Sequence, residues 1–494
     1  MKRIKIITTD NTSSWREAKI ITAEDGESFK PDIDELVTRL VSSVDQMKAF
    51  RSGRNGVYLG YSLNKEKDEL FFVNKNGKIY GARNIIGTIR NVIEYGTETI
   101  DLTLEVRSRF DTLDRPWFAA AMLSTIVEDS EGIASQSEIY NGETDIFGFI
   151  KAVLFAKYLE RAYKAGIYRP YVRNEYNNSR PRGSLDIARH LRLNLARKDR
   201  VAYVTRERDE NNPLNRLIMH TWRYLKSKFP AVSGALDKNT LHRALGELQA
   251  YTASSNDSVS KCVMQNLHPI TGPYYTDYER LRKLCLSILR DENVNANIYG
   301  DTAADEFAHG ITFYVPDLWE MYLERFLPAK GLKCQDELSY YKAFKNVCEE
   351  KDGIMKVLDE KKQAIRPDFV YYKDEKPIFI LDAKYKKYEK DKDDKDGKEK
   401  MEKDLKKLRR DMAIYTLAFF PPKLEGGLIL PISGDDKIVN LIYDKDVDEG
   451  VKVGTKLFTV IVPNINEDND YTAWSKAFET NIKEAVEKIE PLVR

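Results

Sequence analysis

The sequence predicts a multidomain α/β protein: a strand-rich N-terminal domain over residues 1–110, a mainly helical middle domain over 111–300, and an α/β C-terminal domain over 301–494. Three observations predict it. The 494-residue length exceeds one typical domain. Hydrophobic spacing changes from an alternating to a helical period near Pro116. From Asp317 onward the order becomes helix, strand hairpin, helix, strands, helix.

Taken in order, the chain opens on a charged, strand-like run, Met1 to Ile6, which lacks the apolar core of a signal peptide. Ile33, Leu36, Val37, Leu40, Val41 and Val44 recur at helical spacing between Asp32 and Ala49. Val57–Tyr61, Leu70–Val73 and Ile100–Val106 read as strands, and Asn74-Lys75-Asn76-Gly77 as a hairpin turn. Helices follow at Phe118–Val127, Asp145–Tyr163, Asn215–Phe229 and Tyr278–Leu289. Asn212 is placed to cap the third of these, with Pro213 at its first position. Lys386–Arg410 is dominated by Lys, Asp and Glu, and its first half reads as a solvated loop. A helix over Asp411–Phe420 comes next, then strands at Leu428–Ile432, Val439–Tyr443 and Leu457–Val462. The last helix covers Tyr471–Glu487, and no internal repeat is visible.

Composition excludes several classes. Lysines and arginines (79) balance aspartates and glutamates (78), so net charge carries no nucleic-acid signal and only local clustering could. Cys262, Cys285, Cys334 and Cys348 are dispersed, which supports neither a zinc finger nor a disulfide framework. A reduced cytoplasm is the expected compartment. No window reaches the apolar length of a membrane span. The five histidines form no ligand pair, which argues against a histidine-based metal hydrolase. No Gly-x-x-x-x-Gly-Lys-[Ser/Thr] phosphate loop occurs, so any nucleotide-driven motor must be another chain.

The most telling stretch is Arg366-Pro367-Asp368-Phe369-Val370 followed by Ile378-Phe379-Ile380-Leu381-Asp382-Ala383-Lys384. Two apolar, β-prone runs flank the turn-like Lys373–Pro377, as in a hairpin. Centred on Glu375, the hairpin sets Tyr372 opposite Ile378, Val370 opposite Ile380, and Asp368 opposite Asp382. Opposed Cβ atoms lie roughly 5 Å apart. Two carboxylates there repel by about 3 kcal/mol at an effective dielectric near 20. A cation between them relieves that repulsion. Lys384, two residues beyond Asp382, points to the same face. Two acids and a lysine on one face suit a divalent metal with a base or charge stabiliser beside it. A surface hairpin with charged ends, or a purely structural metal site, would use the same two acids; the second gains nothing from the lysine.

Two further groups have competing readings. Arg180, Arg182, Arg189 and Arg192 form the densest arginine cluster, around Gly183. They could grip DNA phosphates bidentately, with Gly183 allowing close backbone approach, or serve as salt-bridge and interface residues. Lys386 joins them as a candidate nucleic-acid contact. Asp317 and Glu320 fit the N-cap and third position of a capping box.

The pattern Pro-Asp, spacer, apolar strand, Asp-Ala-Lys resembles the PD-(D/E)xK nuclease core. Around it, Leu104-Glu105-Val106-Arg107-Ser108-Arg109-Phe110-Asp111, Arg182-Gly183-Ser184-Leu185-Asp186, Asn211-Asn212-Pro213-Leu214-Asn215-Arg216, Leu318-Trp319-Glu320 and Asp382-Ala383-Lys384-Tyr385-Lys386 resemble, in order, segments of McrC-like subunits of the McrBC modification-dependent restriction system. The likeness covers roughly residues 100 to 430. Ile414 stands where many relatives carry glutamine, and the charged insert after Lys386 is longer than usual.

The resemblance implies a restriction-endonuclease-like C-terminal domain. It implies a Mg²⁺-dependent DNA endonuclease (Mn²⁺ could substitute) with Asp368 and Asp382 as metal ligands, Glu320 as a third carboxylate, and Lys384 orienting the nucleophile. It also implies a hexameric McrB-like AAA+ GTPase partner, whose GTP hydrolysis this subunit stimulates, and modified double-stranded DNA as substrate. Two alternatives stay open. One is a non-catalytic, DNA-gripping subunit whose residues 1–110 activate the partner NTPase. The other is a free-standing nuclease.

Overall fold

The structure is a computed structural model. It describes residues 2–12, 14–15, 18–22, 32–42, 57–58, 71–96, 98–128, 146–196, 199–229, 239–253, 257–270, 275–292, 309–334, 338, 341–342, 348–351, 354–357, 364–365, 367–386, 407–408, 412, 415, 425–433, 446–447, 451–452, 455–465 and 470–494. Arg366, Ile414, most of the charged insert and the strand expected at Val439–Tyr443 lie outside the described residues.

The chain divides into two compact units. The first comprises residues 1–129, 136–146 and 311–494; the second comprises 130–135 and 147–310. Residues 1–110 and nearly all of 301–494, read as two domains from sequence, thus share one unit.

The N-terminal elements of the first unit are β1 (Lys2–Thr9), β2 (Lys19–Thr22), α1 (Ile33–Ser42), β3 (Val57–Tyr58), β4 (Phe71–Val73), β5 (Ile79–Ala82), β6 (Ile85–Tyr95), β7 (Glu98–Arg107) and α2 (Trp117–Glu128). The second unit carries α3 (Ile146–Tyr163), β8 (Tyr171–Asn178), β9 (Ser184–Leu185), α4 (Ile187–Asn194), β10 (Val201–Arg208), α5 (Pro213–Lys228), α6 (Asn239–Thr252), α7 (Val259–Gln265) and α8 (Thr276–Glu292). The chain returns to the first unit along β11 (His309–Tyr314), α9 (Val315–Glu324), β12 (Leu332–Cys334), β13 (Phe369–Lys373), β14 (Lys376–Ala383), β15 (Glu425–Ser433), β16 (Thr455–Val462), α10 (Tyr471–Glu487) and α11 (Glu490–Val493).

The N-terminal sheet has the order β2-β1-β7-β6-β11-β3. β1 runs parallel to β7, and β6 antiparallel to it. Alternation buries Ile4, Ile6, Leu102 and Leu104. Cross-strand pairs tie the strands: Arg90 grips Asp101 with two bonds of 2.8 and 2.6 Å, and Lys5 meets Glu105 at 2.6 Å. α1 buries the Leu36, Val37, Leu40 and Val41 stripe that the spacing predicts. β4 and β5 form the expected hairpin, where Asn74 Oδ1 accepts the N–H groups of Asn76 and Lys78 and Gly77 takes φ 76°.

The second unit is mainly helical, as the spacing predicts, but it also holds strands that the sequence reading does not place. It contains a three-stranded sheet, β8-β10-β9, beside its helices. The exposed face of β8 hides it from hydrophobic periodicity. The helix start at Asn212 is as read. Its side chain accepts the Asn215 N–H, and Pro213 opens α5. The Asn212 and Asn215 amides also donate to the Tyr168 carbonyl at 3.0 and 2.9 Å, which makes the motif a structural hub.

The C-terminal sheet has the order β12-β13-β14-β15-β16. β13 lies between β12 and β14 and runs antiparallel to both; β15 and β16 continue parallel to β14. β14 is central, with Phe379, Ile380 and Leu381 fully buried. Val370, Ile380 and Leu428 pack against Leu338, Leu408 and Met412.

Candidate active site

The β13–β14 hairpin builds the site. Phe369 opposes Leu381 and Val370 opposes Ile380, and Asp368, just before β13, reaches the end of β14 at Ala383. The turn differs from the five-residue reading. Asp374 and Glu375, at φ 49° and 61°, close a two-residue loop of the kind that matches strand twist. That loop would shift the register by one, so Tyr372 opposes Pro377 rather than Ile378. An irregularity between Tyr371 and Tyr372 restores the pairing before the acids are reached.

Asp368 and Asp382 are 5% and 1% exposed. Asp368 Oδ2 accepts the Ala383 N–H at 2.7 Å, and Lys384 Nζ lies 2.6 Å from Asp382 Oδ2. Burial first, then the Asp382 and Glu320 carboxylates, push the Asp368 carboxyl well above the ordinary range. Burial works against the Lys384 ammonium, but Asp382 and Asp368 outweigh it and hold the amine above the usual lysine range. Lys384 is therefore protonated, a charge carrier rather than a free base, in this arrangement.

One atom stands out. Asp382 Oδ1 is buried with no hydrogen-bond partner. A buried carboxylate oxygen without an N–H donor is expensive; a proton shared with the raised Asp368 carboxyl, or a hard cation with oxygen ligands, would satisfy it. Asp368 and Asp382 are thus the residues that fit Mg²⁺, which commonly takes one or two carboxylates and keeps its waters.

Glu320 sits half-buried on α9, near enough for its charge to act on Asp368. Among the described residues, however, no three acidic, histidine or cysteine side chains cluster closely enough to hold a metal. The capping-box reading of Asp317 and Glu320 is corrected. α9 starts at Val315, capped by Tyr314 without a side-chain bond, so Asp317 falls inside the first turn. Pro316 near the helix start explains the shift, since its fixed φ suits the first turn and its missing N–H costs nothing there.

The arginine cluster lies in the second unit. Arg180, Arg182 and Arg192 are exposed, whereas Arg189 is half-buried and pairs with Glu175 at 3.4 Å. Gly183 has a packing role: a Cβ there would collide with the Val204 carbonyl oxygen on β10. Asp186 caps α4 through the Arg189 N–H. Lys386, half-buried, follows the site at the end of the described hairpin segment.

Ser108, Arg109 and Phe110, which in the sequence carry only the family resemblance, converge on Tyr385, next to Lys384. Ser108 Oγ and the Tyr385 hydroxyl are 2.7 Å apart, and that hydroxyl donates to Asp10 Oδ1 at 3.1 Å. No local pattern signals contacts 277 and 375 residues apart.

The chain is similar to known proteins as follows. A family model described as the McrBC 5-methylcytosine restriction system component matches residues 81–406. A refined half-complex from a tetradecameric assembly of Thermococcus gammatolerans McrB AAA+ hexamers with bound McrC aligns at 15% identity and TM-score 0.45, covering 99% of this chain and 100% of that one. The cryo-EM structure of the Thermococcus gammatolerans McrBC complex aligns at 17% identity and TM-score 0.31, covering 65% and 86%. No curated protein sequence matches. Because the family match spans about two thirds of the sequence, this chain belongs to the family of McrBC 5-methylcytosine restriction system components.

Proposed function

We propose that the chain is the Mg²⁺-dependent DNA-cutting subunit of a McrBC-type restriction complex, of the PD-(D/E)xK type, driven by a partner AAA+ GTPase ring whose GTP hydrolysis it stimulates. The substrate is modified double-stranded DNA. The observation that carries this reading is the unpartnered Asp382 Oδ1 beside buried Asp368, with Lys384 on the same carboxylate.

Asp368 and Asp382 would hold the metal, which when bound supplies an acidified water and charge stabilisation at the scissile phosphate. The Ala383 N–H fixes Asp368 from the strand end. Glu320 adds negative charge near Asp368. Lys384, whose amine lies 2.6 Å from Asp382, would offer positive charge to the charge that develops on phosphate oxygens. The exposed Arg180, Arg182 and Arg192, with Lys386, are proposed contacts to the DNA backbone. The partner assignment draws on the family and on solved McrB hexamers with bound McrC.

The test uses the full chain with its partner, GTP and methylated DNA, in Mg²⁺ or in EDTA. Asp382→Ala and Lys384→Ala should abolish cutting while GTP hydrolysis is still stimulated. Wild-type cleavage by either variant, or cutting that survives EDTA, refutes the assignment. Stimulated GTP hydrolysis by the wild-type chain without DNA breaks would mark it as a non-catalytic activator.

A further inference from the structure

β14 ends at Ala383, so Lys384 lies just past the regular strand. Its own N–H reaches the Ile429 carbonyl on β15 at 2.9 Å. The Ala383 N–H is spent on Asp368. The next anchor along the chain is the Tyr385 side chain, which is buried, whereas Lys384 is half-buried.

That side chain is gripped from the ends of two N-terminal strands. Asp10 follows β1, Ser108 to Asp111 follow β7, and the Asp10 N–H bonds to the Arg107 carbonyl at 2.8 Å. The Tyr385 hydroxyl donates to Asp10, so Ser108 Oγ supplies the donor to Tyr385. Arg109 bonds Asp10 at 2.6 Å and stacks 4.4 Å from the Tyr385 ring centroid. Asn84 Oδ1 accepts from the same guanidinium. Phe110 meets the ring edge-on at 5.7 Å. Asp111 accepts the N–H groups of Ser108, Phe118 and Ala119, which ties the segment to the start of α2.

The Asp10–Arg109 pair is almost wholly buried, at 0% and 9% side-chain exposure. Buried ion pairs add little net stability, because desolvation offsets attraction. What such a satisfied network does supply is a single orientation for its members. Here the member is Tyr385, one residue from the reacting amine.

We propose that Tyr385, clamped by Ser108, Asp10 and Arg109, is a positioning residue that sets the reach of Lys384 toward Asp382, so that the end of the N-terminal sheet aligns the cutting site. The proposal rests on the cutting role given to Lys384 and Asp382 above.

Tyr385→Phe in the full chain removes only the hydroxyl. Thermal unfolding, Mn²⁺ binding to the chain alone, and DNA cutting with partner and GTP are measured for this variant, for Lys384→Met and for the double variant. Tyr385→Phe should lower kcat by up to about 100-fold, the penalty for misplacing a reacting group by roughly 1 Å, with KM for DNA unchanged. A loosened amine should also compete less for Asp382, so Mn²⁺ should bind Tyr385→Phe about tenfold more tightly, and this gain should vanish when Lys384 is already Met. A merely structural tyrosine would lower the melting temperature without moving Mn²⁺ affinity. Wild-type kcat with unchanged Mn²⁺ affinity overturns the proposal, as does an affinity change that persists in the Lys384→Met background. If Tyr385→Phe shows no cooperative unfolding, Ser108→Ala, which keeps the tyrosine, is judged by the same criteria. Should Lys384→Ala and Asp382→Ala still cut, the cutting assignment fails, while the Mn²⁺ cycle still decides whether Tyr385 positions Lys384.

Discussion

Replacing Lys384 with Met keeps an unbranched side chain, one heavy atom shorter, and removes its charge. In the structure the ammonium lies 2.6 Å from Asp382 Oδ2, with the lysine side chain 29% exposed and the aspartate 2%. The bare attraction at that distance is about 6 kcal/mol at an effective dielectric near 20. Desolvation offsets much of this, and removing one partner of a buried pair typically costs about 3–5 kcal/mol. Partial exposure of the lysine places the loss near the lower end, about 3 kcal/mol. Without metal, Lys384→Met should therefore melt at clearly lower temperature than the wild-type chain. The same missing ammonium leaves Asp368 and Asp382 uncompensated for a divalent cation. A relief of about 3 kcal/mol corresponds to roughly 100-fold tighter binding. Calorimetric titration with Mn²⁺ should show that tighter binding, and saturating metal should close the gap in melting temperature by mass action. DNA cutting should be lost throughout. Unchanged or weaker Mn²⁺ binding by Lys384→Met would refute the reasoning, because the amine and the cation would then not share Asp382.

Two more outcomes are expected elsewhere in the molecule. Burial raises the Asp111 carboxyl to about 8, against the lowering effect of the three N–H groups it accepts. An acid whose folded value is raised favours the folded state while protonated, so its contribution is full below about pH 4 and is lost as pH climbs toward about 8. Melting temperature should therefore fall between pH 6 and 8, and Asp111→Asn should flatten that fall; an identical pH profile for the variant would remove Asp111 as its source. Gly183→Ala should destabilise the second unit by about 1–3 kcal/mol through overpacking against β10. If chemical denaturation shows wild-type stability and only DNA affinity drops, Gly183 serves phosphate approach instead.

Much of the local structure was legible because it depends on neighbours in the chain. Alternation and turn composition located the β13–β14 hairpin and its Val370–Ile380 register. Asn212 and Pro213 announced the start of α5, and helical spacing bounded α10 at Tyr471 and Glu487. Other features needed tertiary packing. The exposed residues of β8 carry no alternation, so the middle sheet was invisible until β10 paired with it. The start of α9 at Val315 moved Asp317 from the cap into the first turn, which sequence spacing alone could not decide.

The sequence by itself singled out the side chains proposed for the chemistry: Asp382 and Lys384 stand two residues apart, as side chains on one face of an extended chain do, and Asp368 enters the other arm of the hairpin. Only the tertiary structure decided their surroundings. It buried both aspartates, left Asp382 Oδ1 without a donor, and brought Asp10 and Ser108 onto Tyr385. Periodicity reports on a few residues at a time, whereas burial and long-range hydrogen bonds exist only once distant segments have packed together.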